Sequence, residues 1–586
     1  MLNFYDFEVF KYDWMVVIIN PVNKTKDIIV NDKDQLERFY HAHKNEIWVG
    51  YNSQHYDQYI LKAILCGFAP QEMNDWLIRQ DKPGWQFSRI LNNFRLYNYD
   101  VMLRTDQGGL KRLEAMMGNN VKETSVPFDI DRKLTAAEIA ETIKYCTHDV
   151  EQTIEVFLAR KSEFDASMGL IKIFNLPMTS ISKTKAKLVA DICGGLGKSF
   201  DDEFEFTIVD TLRLDKYKFI ADWYRDPANH DYSKNQIVMV EGIPHTFAWG
   251  GIHGASGKIV EKKKRNGTIK QEIEKVPYYG KGIFYMCDVN AYYPSLQLRY
   301  GFGYRNMGNP ENFEKIHKEN LRLKTIDKVA RLPYKIADNS ISGQLKDKNS
   351  RLYDPRSNNE ICINGQLLLL DLIEKICINP HIKLIQSNTD GILVKLDSYD
   401  DFEFLDDTVW EWEERTGMSM EFDEFRYVYQ KDVNNYVAVT PEGKFKTKGG
   451  WTKASNELDD ELPIIKDSIL NFMTKGIYPE QTVNNCQDLK KFQKVNKISA
   501  KYKYILHGDK KLNDKTVRSF ASIRRRDGGL FQVSARTGEP GKVPGTADNC
   551  FIVNEEVNGK ECPSYLDRDW YIDLAYERLR QYGAEV

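Results

Sequence analysis

The stretch "CDVNAYYPSL", residues 287–296, sets the problem. Asp288 closes the apolar run "IFYM", and two tyrosines and a proline follow. A carboxylate at the end of a buried-looking strand is costly unless a partner or a cation meets it. A second strand-like run, "HIKLIQSNTDGILVKLD" (381–397), centres on Asp390. Its halves "LIQSN" and "GILVKL" flank a two-residue tip, which predicts a β-hairpin with Gly391 in the turn. Two carboxylates on neighbouring strands suit a two-metal site.

Between the two acids lies "LPYKIADNSISG" (332–343). Arg331, Lys335 and Asn339 are spaced by four, so on a helix they form one basic-polar stripe. Such a stripe suits a triphosphate, because Lys and Arg supply both charge and donors.

The N-terminal part has acids of its own. "MLNFYDFEVF" reads as a strand with Asp6 and Glu8 on one face. "EIWVGYNSQHYDQYILKAIL" reads as a strand over Ile47–Gly50, a polar turn and a helix, with Asn52, Tyr56 and Asp57 near the junction. "TAAEIAETIKYCTHDVEQTIEVFLARK" reads as an amphipathic helix with Thr135 as N-cap and Glu138 completing a capping box. Tyr145 and Asp149 are four apart on its surface. Acids that repel and desolvate on one face are relieved by a divalent cation.

The whole chain bounds these readings. Its 586 residues predict two to four domains. It is 42% hydrophobic and 28% charged, as soluble globular chains are. No apolar run reaches the length of a membrane helix, and the N-terminus lacks the basic region of a signal peptide. The 9 Cys include no C-x-x-C pair, so neither a zinc site nor a disulfide framework is indicated, and a reducing compartment fits. A formal charge of −3 excludes a uniformly basic nucleic-acid binder but not local basic tracts. Four such tracts stand at 261–270, 444–453, 494–504 and 522–529. "CGGLGKSF" ends like a phosphate loop, but Ile192 holds the position of the first glycine and a helix-like segment precedes it.

The order D-x-E, N-x-x-x-Y-D, Y-x-x-x-D over roughly residues 1–165 resembles the proofreading 3′–5′ exonucleases of the ribonuclease-H-like fold, in their DEDDy version. "RLYNYDVM" and "GGLKRLEAMMG" also look like that family. "DVNAYYPS", "KIADNSISG" and "NTDG" resemble motifs A, B and C of family B DNA polymerases, in order and spacing. The overall look is of a compact bacteriophage replicative polymerase.

The resemblance implies an α/β and α+β multidomain chain: a ribonuclease-H-like exonuclease domain followed by a right-hand palm, fingers and thumb. The implied boundaries are exonuclease 1–165, a connecting N-terminal polymerase region 166–275, palm 276–306 and 376–450, fingers 307–375, and a thumb or C-terminal DNA-binding region 451–586.

It also implies roles. Asp6, Glu8, Asp57 and Asp149 would hold two Mg²⁺ or Mn²⁺, with Tyr145 orienting the water or the scissile phosphate. Asn52 and Tyr56 would contact the single-stranded 3′ end. Asp288, the Val289 carbonyl and Asp390 would hold two further ions. Tyr293 would lie under the sugar and exclude a 2′-hydroxyl. Arg331 and Lys335 would hold the triphosphate, with Arg322 or Lys324 adding a contact, and Asn339 would line the nascent base pair. Gly250 and Gly251 would let backbone approach the template. Lys431 and Tyr436 would grip primer phosphate.

The implied partners are primer-template DNA, dNTPs and phage accessory proteins. A monomer in the cytoplasm of an infected bacterium is implied, with no membrane. All three motifs depart from the usual pattern: Asn388 stands for the first Asp of motif C, Ser342 for the Tyr of motif B, and Ala291-Tyr292 for Ser-Leu in motif A. Asn434 also stands where a Lys is usual. Only 47 residues separate Asp288 from Lys335, and 47 separate Gly343 from Asp390. That leaves little room for the insertions of protein-primed polymerases and predicts a nucleic-acid primer. The rival readings are a protein-primed polymerase, a nuclease whose second half only binds DNA, and a catalytically dead replication scaffold.

Overall fold

The computed structural model describes residues 1–586 except 107, 122, 123, 265, 266, 454, 455 and 460. Positions 265 and 266 of the basic tract 261–270, and 454, 455 and 460 of the expected C-terminal region, therefore lie outside the described residues. The chain folds as two compact units. One comprises Met1–Thr184, Ser455–Ile464 and Cys486–Tyr571; the other comprises Lys185–Ala454, Ile465–Asn485 and Ile572–Val586. The segment 451–586, expected as one region, is divided between them.

In the first unit, β1 (Leu2–Val9) is flanked by β2 (Trp14–Asn20) and β3 (Thr25–Val30) on one side. After α1 (Lys33–His43), β4 (Ile47–Gly50) adds on its other side; α2 (Asp57–Leu65) and β5 (Tyr97–Asp100) follow. The strand order is β3-β2-β1-β4-β5, with β1–β4 and β4–β5 parallel. A central strand is buried on both faces, which explains the near-continuous apolar run of β1. Tyr5, Phe7 and Val9 pack with Trp48, Leu36 and Ile60. Phe4, Asp6 and Glu8 alternate onto the opposite face. There α4 (Ala136–Ala159) packs, with the Phe157 ring 5.2 Å from that of Phe4. The capping box of Thr135 and Glu138 is formed. Before α4 comes the shorter α3 (Gly109–Met117).

The second unit opens with α5 (Lys185–Ile192), so "CGGLGKSF" follows a helix, not a strand. Strands β6 (Gln236–Val240), β7 (Ile243–Phe247) and β8 (His253–Gly254) come next, then a separate two-stranded ribbon of β9 (Gly257–Lys263) and β10 (Ile269–Lys275). The long β11 (Tyr278–Val289) ends in the opening stretch. Helices α6 (Tyr292–Tyr300), α7 (Pro310–Arg322), α8 (Lys328–Gln344) and α9 (Pro355–Ile376) follow it. Then come β12 (Ile382–Asn388), β13 (Gly391–Leu396), α10 (Asp401–Thr416), β14 (Met420–Asp432), β15 (Asn435–Val439) and β16 (Phe445–Lys448). The nine-stranded order is β16-β15-β14-β11-β13-β12-β8-β7-β6. The leucine-rich α9 is buried almost end to end against one face of this sheet.

The remainder of the first unit is β-rich. β17 (Lys494–Lys497), β20 (Thr516–Ala521) and β23 (Cys550–Ile552) form one small sheet. β18 (Tyr502–His507), β19 (Lys510–Lys511), β21 (Leu530–Ser534) and β22 (Pro540–Lys542) form another, in the order β19-β18-β21-β22.

Candidate active sites

The first acidic cluster is built from three elements. Pleating of β1 brings Asp6 and Glu8 to the α4 face. Asp57 is the first residue of α2, where the helix dipole favours an anion, and its Oδ1 accepts from the Phe7 N–H at 3.0 Å. Asp149 lies on α4 one turn after Tyr145, whose hydroxyl bonds to it. Burial first, then the charges of their neighbours, push the Asp6 and Glu8 carboxyls well above the usual range. Asp57 is pushed up to about 7, chiefly by burial. Burial raises Asp149 as well, opposed by Lys111.

Lys111 on α3 carries no mark in the sequence that singles it out. Its ammonium bonds Asp149, and Glu114 at 3.1 Å, and lies 4.6 Å from the centre of the Tyr145 ring. Asp100 lies in the stretch "RLYNYDVM", where the sequence alone gives it no role. Its carboxylate accepts the backbone N–H groups of Asn52 (2.8 Å), Gln54 (3.0 Å) and Met102 (2.9 Å), which fixes the loop carrying Asn52. Asn52 adopts φ 60°, a left-handed conformation that asparagine tolerates. A groove of about 460 Å³ opens beside Glu8, lined by Asn52, Tyr56, Ile78 and Phe128. The Tyr56 hydroxyl is tied to Asn74 at 2.7 Å, leaving its ring to line the groove.

The cluster fits a hard divalent cation. Ligand atoms of Asp6, Glu8 and Cys146 lie within 4.8 Å of one another, as do those of Glu114, His148 and Asp149. The thiol of Cys146 donates to Asp6 (3.5 Å to Oδ2) and burial holds it protonated, which leaves the oxygens of Asp6 and Glu8 in the first group; Asp149 falls in the second with Glu114 and the His148 imidazole, and Asp57 in neither. One ammonium against this many buried carboxylates is an unbalanced charge that cations would relieve. A pH dependence follows. Asp57 holds its proton up to about 7 in the folded chain, whereas an unfolded Asp releases it near ~4. The folded form is thus favoured below the unfolded value, and that stability is lost as pH rises through 7. Thermal melts in a chelator are expected to fall from pH 5 to pH 8, and Mn²⁺ is expected to flatten the trend; equal melts at both pH values without metal would contradict it.

The second cluster sits at the end of β11. Antiparallel pairing sets Asp288 opposite Gly391, and the Val289 N–H donates to the Asp390 carbonyl at 2.7 Å. The hairpin tip is Thr389-Asp390, and Gly391 is the first residue of β13 rather than part of the turn. A Cβ on Gly391 would stand 2.3 Å from Asp288 Oδ1, so the close approach requires glycine. Ala291, between β11 and α6, is left-handed at φ 43°, a strained conformation of about 1 kcal/mol or more for a residue with a Cβ.

A cavity of about 370 Å³ adjoins these acids. Val289, Tyr293, Arg331, Lys335, Asn339 and Asp390 all line it, so most of the second set of expected site residues meets in one place. Arg331, Lys335 and Asn339 share a face of α8, as their spacing predicts. Arg331 Nε is held by Asn320 Oδ1 at 2.8 Å, and Asn320 in turn donates to the fully buried Asp338 at 2.7 Å. A neighbouring cavity of about 250 Å³ is lined by Gly250, Gly251, Tyr293, Ser342, Gly343 and Thr389. Space at Gly251 is used by Thr389, whose Oγ1 would lie 2.6 Å from a Cβ there, while Gly250 faces open space.

Lys446 on β16 lies in the basic tract 444–453, but nothing in the tract marks it as the partner of Asp288. It bonds Asp288 at 2.6 Å and Asp423 at 3.0 Å. Burial raises the Asp288 carboxyl, Lys446 opposes the shift, and the charges of Asp390 and Asp423 add to it. Burial disfavours the Lys446 ammonium, but its bonds to Asp288 and Asp423 outweigh that and hold it above its usual range. Asp288, Asp390 and Asp423 offer oxygen donors of the kind a hard divalent ion prefers, but among the described residues their ligand atoms do not gather within 4.8 Å of one another as those of the first cluster do.

Other expected contacts are occupied within the second unit. Lys431 donates to Gln581 at 3.0 Å. Tyr436 is buried, with its hydroxyl 3.9 Å from the Met286 sulfur. Arg322 pairs with Glu319 on its own helix, and Lys324 bonds Asn290 and Glu421. Asn388 Oδ1 accepts from the Thr389 N–H at 3.0 Å, and Tyr292 packs with its hydroxyl on the Gly365 carbonyl at 2.9 Å.

No protein-family model and no curated protein matches this chain. Among solved structures it is similar to the family B DNA polymerase from the hyperthermophilic archaeon Pyrobaculum calidifontis. The identity is 14% and the TM-score 0.42, over 100% of this chain and 78% of that one. Among the described residues, no helix is long and apolar enough to cross a membrane.

Proposed function

We propose that the chain is a template-directed DNA polymerase with a 3′–5′ proofreading exonuclease, of the bacteriophage family B type, extending a nucleic-acid primer. The observation that carries the reading is the convergence of Tyr293, Arg331, Lys335, Asn339 and Asp390 on one cavity beside Asp288. They come from three stretches of sequence set tens of residues apart: Tyr293, the one helix that carries Arg331, Lys335 and Asn339, and Asp390. The exonuclease half is supported by a second, separate acidic cluster, carried on a five-stranded mixed sheet of its own.

In the polymerase site, Asp288 and Asp390 would hold Mg²⁺, with Mn²⁺ as a substitute. The ions would lower the pKa of the primer 3′-hydroxyl and neutralise the leaving pyrophosphate. Arg331 and Lys335 bind the triphosphate, and Asn320 keeps the guanidinium aimed. Asn339 lines the base pair. In the exonuclease site Asp6, Glu8, Asp57 and Asp149 would hold the metal, Tyr145 orients the attacked phosphate, and Lys111 fixes Asp149. The groove beside Glu8 takes the single-stranded 3′ end. The segments 166–275, 276–306 with 376–450, and 307–375 would be connector, palm and fingers, and 451–586, divided between the two units, a C-terminal DNA-binding region.

A labelled primer annealed to a longer template, incubated with Mg²⁺ with and without dNTPs, tests the reading. Lengthening with dNTPs and shortening without them is the expected outcome. Shortening alone would favour a nuclease, no change a dead scaffold, and failure to extend any nucleic-acid primer a protein-primed enzyme.

Tyr293 carries a further prediction. Its ring lines the cavity beside Asp390 and is backed by Gly365, where a Cβ would come within 3.4 Å of it. Its hydroxyl bonds the Cys362 thiol, which holds the ring in place. Tyr293→Ala is expected to raise ribonucleotide incorporation relative to deoxyribonucleotide by ~10-fold or more, the scale of removing a steric barrier of about 1–3 kcal/mol. Unchanged discrimination in single-nucleotide assays would remove the assignment.

A further inference from the structure

We propose that the β-rich segment of residues 494–552 is a single-stranded-DNA platform belonging to the exonuclease unit. The proposal rests on the nuclease reading above. Its first support is charge. The chain carries 82 Lys and Arg against 85 Asp and Glu, yet residues 494–552 carry 13 against 5. Lys501, Lys503, Lys510, Arg525, Arg526 and Arg536 are all exposed. A cationic surface this concentrated in a near-neutral chain is the footprint of a polyanion.

The second support is the pairing of the four-stranded sheet. Cross-strand partners run Lys511–Leu506–Phe531–Lys542, so these four side chains share one face. Tyr504, two residues before Leu506, lies on the same face. The Lys511 ammonium sits 4.6 Å from the centre of the Tyr504 ring, and Tyr504 and Phe531 are only half-buried. Aromatic rings between cations match unpaired bases and their phosphates. A duplex offers its phosphates but keeps its base faces stacked, which is why the single strand is the favoured occupant.

The third support is the attachment of the segment. Lys497 donates to the Gly108 carbonyl just before α3. At the other end of α3 the buried Arg518 guanidinium donates to the carbonyls of Ala115 (2.9 Å) and Asn119 (2.7 Å), and Gln493 to that of Met116 (2.8 Å). The segment and its flank thus grip both ends of the helix that presents Lys111 to Asp149. A strand held on the platform is held by a part bonded directly to the helix at the nuclease site.

The test uses the full chain with Asp6→Ala and Glu8→Ala, so that DNA is bound and not consumed. Fluorescence anisotropy is read with a labelled oligothymidine and with a blunt duplex of equal length. Lys510→Glu with Lys511→Glu, both exposed, is expected to weaken oligothymidine binding about tenfold at low salt. The same pair should reduce the salt slope by roughly 0.7 for each phosphate no longer neutralised. Phe531→Leu, which keeps apolar volume, is expected to weaken binding roughly fivefold or more. Duplex affinity is expected to change less than twofold. Unchanged oligothymidine affinity overturns the proposal, and so does an equal loss for both DNAs, which would make the segment a duplex grip. In the nuclease-competent chain the lysine substitutions should raise the KM for degradation. A parent that degrades no single strand with Mg²⁺ or Mn²⁺ would refute the nuclease reading while leaving the binding result to stand by itself.

Discussion

Asp288→Ala is expected to lower nucleotide incorporation by ~10³-fold or more and to leave single-strand degradation unchanged. The loss corresponds to about 4 kcal/mol of transition-state stabilisation, the scale expected when a catalytic ion loses an anionic ligand. The carboxylate has no substitute in place. Asp390 is at the tip of the facing hairpin, and Asp423 is engaged by Lys446. The fold should survive, because Lys446 keeps Asp423 as partner and its side chain is 37% exposed, so no buried charge is orphaned. Asp288→Asn separates charge from shape: it keeps the volume opposite Gly391 and should be nearly as inactive. The measurement is single-nucleotide incorporation under single-turnover conditions, with a thermal melt to verify folding. Incorporation within tenfold of the parent would refute the assignment of Asp288 as a metal ligand.

Much of both sites is legible in the sequence because their residues sit in short local patterns. Asp6 and Glu8 are marked by period two, Tyr145 and Asp149 by helical spacing, and Arg331, Lys335 and Asn339 by the same rule on α8. The hairpin around Asp390 is readable from alternation and a polar tip. The residues that tune these acids leave no such trace. Lys446 reaches Asp288 only because β14 pairs with both β11 and β15, and β15 pairs with β16. Lys111 reaches Asp149 through a helix-to-helix contact across more than thirty residues of sequence, and Asn320 reaches Arg331 between two helices. Each is one lysine or asparagine among many in the sequence.

Gly251 is a related case. A glycine there reads as room for template, but a side chain, Thr389, uses that space. The C-terminal tracts are recognisably basic in the sequence. Which unit they join is decided by Arg518 and the carbonyls of α3, a contact across about four hundred residues that no local pattern encodes.

Asp6→Ala combined with Glu8→Ala is expected to abolish degradation, by ~10³-fold or more, while primer extension persists. Its effect on stability should run opposite to that of most losses of buried polar groups. Burial raises both carboxyls, and neighbouring charges raise them further, Asp57, Glu8 and Asp149 acting on Asp6, and Asp149 and Asp57 on Glu8. Wherever both are ionised in the metal-free chain they are a source of repulsion, and Lys111 is committed to Asp149 and Glu114. Removing them leaves small voids, which destabilise the fold. It also removes two desolvated like charges, and that relief is the larger effect. The double variant should therefore melt higher than the parent in chelator at pH 8. The difference should shrink as pH falls and the parent's acids take up protons, and reverse with Mn²⁺, which stabilises only the intact cluster. A variant that melts lower than the parent at every pH without metal would show that the acids are satisfied within the fold and that the cluster is not strained toward a cation. A variant that loses extension together with degradation would show that the two acidic clusters do not act as separate sites.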